Sequence, residues 1–246
     1  MAYPRDTNTC LWRMDSDSIG NAKKILQQVA SLLEKSRSAE IFGEAVSYST
    51  RPWVLLFCPA IEALETAIHE EFATRNNPKL LESIRICCVQ DMYELRKVLA
   101  CIHLPPGPES KNDIISWMMQ EKFGQPPILM CVVDLLDILL ATDRSYDQEL
   151  PISERHLYVR YAQLADTLSL LVETCAYFNN YGRKTWENAF GVDIPLTPTA
   201  LLVTDNGYLA TRPEIDNQQE LEQLGVKTRV LESLYRIIVH YLGVVI

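Results

Sequence analysis

Asp134 is the side chain best placed to do chemistry, because it closes the apolar run 128–134 (ILMCVVD). Ligands bind at the carboxyl ends of strands in open α/β sheets, so a buried strand ending in a carboxylate can hold the water shell of a magnesium ion. The same acid would also suit a turn or a helix cap. A metal strand of this kind works beside a phosphate loop, yet no G-x-x-x-x-G-K-[ST] occurs in the chain.

An earlier strand candidate, 53–57 (WVLLF), follows Pro52 and runs straight into a helix-like stretch. A phosphate loop at this turn needs glycines, so that successive backbone N–H groups converge on the anion, and a lysine for the outer phosphates. The turn reads CPAIEALETA. In one register Pro59 and Leu64 stand at the glycine positions, Glu65 at the lysine and Thr66 at the hydroxyl. In the next, Cys58, Ala63, Leu64 and Glu65 fill those roles. Both put a carboxylate beside the phosphates. Two like charges about 4 Å apart repel by about 4 kcal/mol at an effective dielectric of about 20, roughly three decades in affinity. Pro59, Leu64, Glu65, Thr66 and Asp134 therefore read as a degenerate nucleotide site, with no ATP and no metal expected there. Glu62 and Glu65 also suit the first turns of an ordinary helix.

These residues need a frame, and periodicity supplies one. Residues 1–20 are polar and irregular and read as a flexible tail. From residue 21, Ile25, Val29, Leu32 and Leu33 fall at helical spacing, and that helix with its linker occupies 21–51. The core then spans 52–246. Strands are expected at 52–57, 83–89, 128–134 and 199–204, and helices at 61–73, 92–102, 113–122 and 154–179. An acidic polar loop is expected after Asp134, and an exposed insertion over 180–198. A last helix lies within 217–242. Strands alternating with helices imply an α/β fold with a mainly parallel sheet and helices on both faces.

A chain of 246 residues with 48% hydrophobic content can bury one sizeable core. Its formal charge of −9 speaks against a free-standing binder of DNA or anionic membrane. Seven cysteines, odd in number and mostly inside apolar segments, read as free thiols of a reducing compartment. Cys87 and Cys88 adjoin on a strand and face opposite ways, and His69, His103, His156 and His240 show no ligand spacing, so no zinc site is expected. No run approaches the roughly 20 apolar residues that cross a bilayer, and no signal peptide opens the chain.

Three segments, in this order, resemble RecA-type recombinases, and more closely the eukaryotic recombinase and its paralogues. LLESIRICCVQDMYELRKVL is similar to the strand and helix between phosphate loop and metal strand. CVVDLLDILLATDRSYDQELPISERHLYVRYAQLADTLSLL resembles the metal strand, the first DNA-facing loop and a helix opening on S-x-R, here Ser153-Glu154-Arg155. ALLVTDN resembles the strand that ends V-x-T-N-Q and senses nucleotide, with Asp205-Asn206 in place of Asn-Gln.

The resemblance implies a RecA-like fold with a degenerate P-loop, a pseudo-ATPase rather than an enzyme. The chain resembles in this the RecA-fold proteins that act as structural partners, among them the small paralogues of the Shu-type complex. The likeness implies a nuclear adaptor in homologous recombination and DNA repair that forms a heterodimer with a second RecA-like paralogue. A zinc-bearing SWIM-domain protein, the recombinase filament, and DNA bound as part of a complex are the further partners. Arg144, Arg155 and Arg212 near the two loops, with Arg183 and Lys184 in the insertion, are the candidate DNA-binding residues; taken singly, each reads first as a solvated surface charge. The alternative is an accessory RecA-fold subunit of Elongator, which acts in tRNA modification and also lacks phosphate loops.

Overall fold

Residues alternating along five short strands face two helical layers. The computed structural model describes residues 9–14, 17–39, 49, 51–75, 78–103, 113–141, 154–182, 184, 197–205 and 233–242. The strands are β1 (Thr9–Arg13), β2 (Val54–Cys58), β3 (Ile84–Cys88), β4 (Leu129–Val132) and β5 (Ala200–Asp205). They form one sheet in the order β1-β5-β4-β2-β3, and every pair is parallel. The fold is α/β, with helices on both faces.

Topology explains which helix goes where. From β1 through β2 to β3 the chain crosses the sheet in one direction, and through β4 and β5 it returns. Right-handed crossovers then send the two sets of helices to opposite faces. Helices α1 (Ser18–Ala39) and α2 (Glu62–Arg75) cover one face, and the short α3 (Pro78–Leu81) follows them. Their Ile25, Leu26, Val29, Leu33, Leu64 and Ala67 pack on Val54, Leu56, Cys58 and Cys131. The opposite face carries α4 (Met92–Ile102), α5 (Asp113–Glu121), α6 (Leu135–Ala141), α7 (Glu154–Tyr177) and the helical residues 233–242. There Leu95, Leu99, Leu168, Leu171, Leu234 and Ile238 close over Leu55, Phe57, Met130 and Val132. Both terminal helices thus complete the core with their apolar stripes.

The sheet begins earlier than the sequence suggested. Residues 9–13 are an edge strand and not part of a flexible tail, and Ser18, before residue 21, opens α1. The described residues 9–14 and 17–39 therefore belong with the sheet and its core, ahead of residue 52. The apolar run Cys10-Leu11-Trp12 is too short to announce a strand, but β5 supplies the ladder and Leu11 is fully buried. A second difference follows Asp134, where α6 takes the place of the first part of the expected acidic loop. LLDILLA has no polar face, so its periodicity is silent. Asp134 starts it from the N-cap position, its carbonyl accepting from the amides of Asp137 (2.9 Å) and Ile138 (3.2 Å).

α4 shows the local rule most clearly. The Asp91 carboxylate accepts from the Glu94 amide at 2.8 Å, while Glu94 Oε2 accepts from the Gln90 amide at 2.8 Å. That is a reciprocal cap, and the helix matches its expected bounds. α7 runs on into a π-helical turn, Phe178–Gly182, at the start of the expected insertion. Asn179 there holds β5, donating to the Thr199 carbonyl (3.0 Å) and accepting from the Thr199 amide (2.7 Å).

Candidate functional site

Residues at the carboxyl ends of β4, β5 and β1 are linked by hydrogen bonds, mainly through main-chain atoms. Asp134 lies just past β4 with φ 55°, a left-handed conformation that aspartate tolerates better than most residues. Its amide donates to Thr204 Oγ1 at 3.1 Å, and Thr204 is fully buried on β5. The next residue, Asp205, is 2% exposed, and its carbonyl accepts from the Met14 amide at 2.9 Å. Met14 follows β1, and α1 opens four residues further on at Ser18. Two carboxylates thus stand at adjacent strand ends, beside a strand-turn-helix that sequence reasoning had passed over.

That stretch keeps one of the four defining positions of the phosphate-loop pattern, as the first register after β2 does with Thr66, but here the kept position is a glycine. Residues 15–22 read DSDSIGNA: Gly20 keeps the second glycine, Asn21 stands at the lysine and Ala22 at the hydroxyl. Asn21 and Ala22 are both 3% exposed. A helix N-terminus attracts anions through its free amides and its dipole, but here the chain supplies the anion itself. Asp17 accepts from the Gly20 amide through Oδ1 at 3.0 Å, and its carbonyl accepts from the Asn21 amide at 2.9 Å. A Cβ on Gly20 would lie 2.3 Å from Asp17 Oδ2, so a larger residue there would make the carboxylate swing aside from its capping position. The signal available in the sequence was an Asp three residues ahead of a glycine at the head of an amphipathic helix.

The turn after β2 does not assemble an anion cradle. Pro59 is half-buried in the turn, but α2 already begins at Glu62. Leu64 is 1% exposed and packed in the core, Glu65 points to solvent, and Thr66 Oγ1 donates to the Glu62 carbonyl at 2.9 Å. Of the five residues read as a degenerate nucleotide site, Asp134 alone joins the group at β4, β5 and β1.

Two of the candidate DNA-binding residues, Arg155 and Lys184, are among the described residues. Arg155 lies in the first turn of α7 and Lys184, exposed, lies beyond the other end. A helix of 24 residues spans about 36 Å, so the two sit at opposite ends of the sheet. Arg144, Arg183 and Arg212 lie outside the described residues, as do Asn206 and most of the insertion.

A separate basic cluster occupies the amino ends of β2 and β3. Lys122 is fully buried, donates to the Arg51 carbonyl at 3.1 Å, and sits 5.8 Å from the Trp117 ring centroid. Arg85 stacks on the same ring at 4.1 Å, and Arg51 pairs with Glu82 at 2.9 Å. Trp53 meets Trp117 edge-on at 4.9 Å and donates to the Gln125 carbonyl at 2.9 Å. Burial, and then the charges of Arg51 and Arg85, push the Lys122 ammonium down to about 8, although Glu82 and Glu121 pull the other way.

No group of three or more His, Cys, Asp or Glu among the described residues is arranged to hold a metal ion. No helix among them is long and apolar enough to cross a membrane. Neither a protein-family model nor a curated protein matches this chain.

Proposed function

We propose that this chain is a RecA-like recombinase paralogue without nucleotide chemistry, an adaptor that promotes recombinase filament assembly in homologous recombination and DNA repair. One observation carries the non-catalytic part of the reading: the Asp17 carboxylate sits on the α1 N-terminus where a phosphate would bind. Asn21 and Ala22, at the lysine and hydroxyl positions, offer neither the cation nor the metal-binding oxygen that phosphoryl transfer uses.

The recombination part rests on the three sequence segments and on their order in the sheet. The metal-like strand β4 and the sensor-like strand β5 are neighbours, and β5 borders the β1–α1 turn. A chain with no nucleotide of its own would act through partners. The reading takes these to be a second RecA-like paralogue in a heterodimer, a SWIM-domain zinc protein, and DNA held jointly in the nucleus.

Thermal unfolding with ATP and magnesium tests the pseudo-ATPase reading. A ligand at about 100 times its dissociation constant stabilises by about 2.7 kcal/mol. The expected result is no shift in the unfolding temperature with millimolar nucleotide; a clear upward shift would contradict it.

A further inference from the structure

Of the seven thiols, Cys58 and Cys88 alone are register partners on the described strands. They end the neighbouring parallel strands β2 and β3, so both side chains project from the same face of the sheet. Neighbouring strands lie about 4.8 Å apart, inside the roughly 4.4–6.8 Å between Cα atoms that a disulfide spans.

Their surroundings differ in a way that sets the order of events. Cys88 is exposed on β3, an edge strand of the sheet. Cys58 is fully buried beside Leu64 and Leu80. Burial first, and then the neighbouring Cys88, Cys87 and Asp134, hold the Cys58 thiol protonated. Cys87 points to the opposite face, where it packs against the core of α4 and α7. Cys131 is fully buried in mid-sheet, opposite Leu56.

We propose that Cys88 is a site of oxidative modification by peroxides and that Cys58 is its resolving thiol. The Cys88 thiolate attacks one peroxide oxygen, the O–O bond breaks, and with hydrogen peroxide the other oxygen leaves as water, giving a sulfenic acid at Cys88. Cys58 Sγ then attacks Cys88 Sγ; the S–O bond breaks, and the departing hydroxide takes the Cys58 proton and leaves as a second water. Two thiols lose two electrons in total, and one peroxide becomes two waters. The product joins the carboxyl ends of β2 and β3 at the turn into α2 without asking either strand to move out of register.

The test is a peptide map of the full native chain after a brief dose of hydrogen peroxide, with free thiols alkylated before digestion. The expected product is a Cys58–Cys88 cross-linked peptide, with an intact mass lower by two hydrogens, reversed by a thiol reductant. Fragment spectra must assign the link to Cys88 and not to Cys87. In Cys58→Ser the same dose should leave Cys88 as a sulfenic acid captured by a dimedone probe, and Cys88→Ser should form no cross-link. The wild-type map stands alone should either variant fail to fold. Cys88 remaining a thiol, oxidising onward to a sulfinic acid in the wild type, or linking to another cysteine would each overturn the proposal.

Discussion

The Asp17 carboxylate and the Gly20 amide meet at 3.0 Å, and a Cβ on Gly20 would fall 2.3 Å from the second carboxylate oxygen. Glycine is poor in a helix interior, so Gly20→Ala would ordinarily stabilise α1 by up to about 1 kcal/mol. Here the added methyl displaces the cap, which is itself worth about 1 kcal/mol. In the wild-type background G20A should therefore be neutral or destabilising. In a D17A background, where the carboxylate is gone, the same substitution should turn stabilising. Urea unfolding of the four chains checks this, and the same sign in both backgrounds would show that the cap does not govern the site.

Lys122 gives the fold a pH signature. Its folded-state pKa of about 8 lies below the ordinary lysine value of 10.5. The unfolded chain therefore binds more protons between those values. The cost of burying the ammonium is at its full value below about pH 8 and is relieved as pH rises toward 10.5. Wild type should accordingly gain stability relative to Lys122→Met by roughly 1 kcal/mol between about pH 7 and about pH 9. Taking the difference between the two chains cancels the buried cysteines, whose raised pKa values act in the opposite direction. A difference flat with pH would mean that Lys122 is not desolvated in solution.

How much of this was legible beforehand depended on what each signal needed. α4 was readable to the residue, because an Asp-x-x-Glu cap and a stripe of Leu95, Val98, Leu99 and Ile102 mark its start and its buried face. β2, β3, β4 and β5 were visible within about two residues, since buried parallel strands are continuous apolar runs. β1 was not, because three apolar residues among polar ones become a strand only through pairing with β5. Because β1 was missed, the stretch between it and α1 was never weighed beside the turn before α2. Asp134 was found as a strand-end carboxylate. Its contact with Thr204 joins residues 70 positions apart, which no local pattern encodes.

Asn179 links the end of α7 to the start of β5 by two hydrogen bonds to Thr199, whose hydroxyl in turn donates to the Pro127 carbonyl at 2.6 Å. Asn179→Ala should leave that strand entry without its side-chain partner and cost about 1–3 kcal/mol. Thermal or urea unfolding measures it. A loss within about 0.5 kcal/mol, the range of an ordinary surface substitution, would show that the link carries no weight.

Recovery of the tagged full-length chain from its own cells, with mass spectrometry of what co-purifies, tests the central claim most directly. The account predicts a second RecA-like subunit in stoichiometric yield, with or without a SWIM-domain protein. Recovery of Elongator subunits in their place would contradict it, and the DNA-binding role of Arg144, Arg155, Arg183, Lys184 and Arg212 would fall with it.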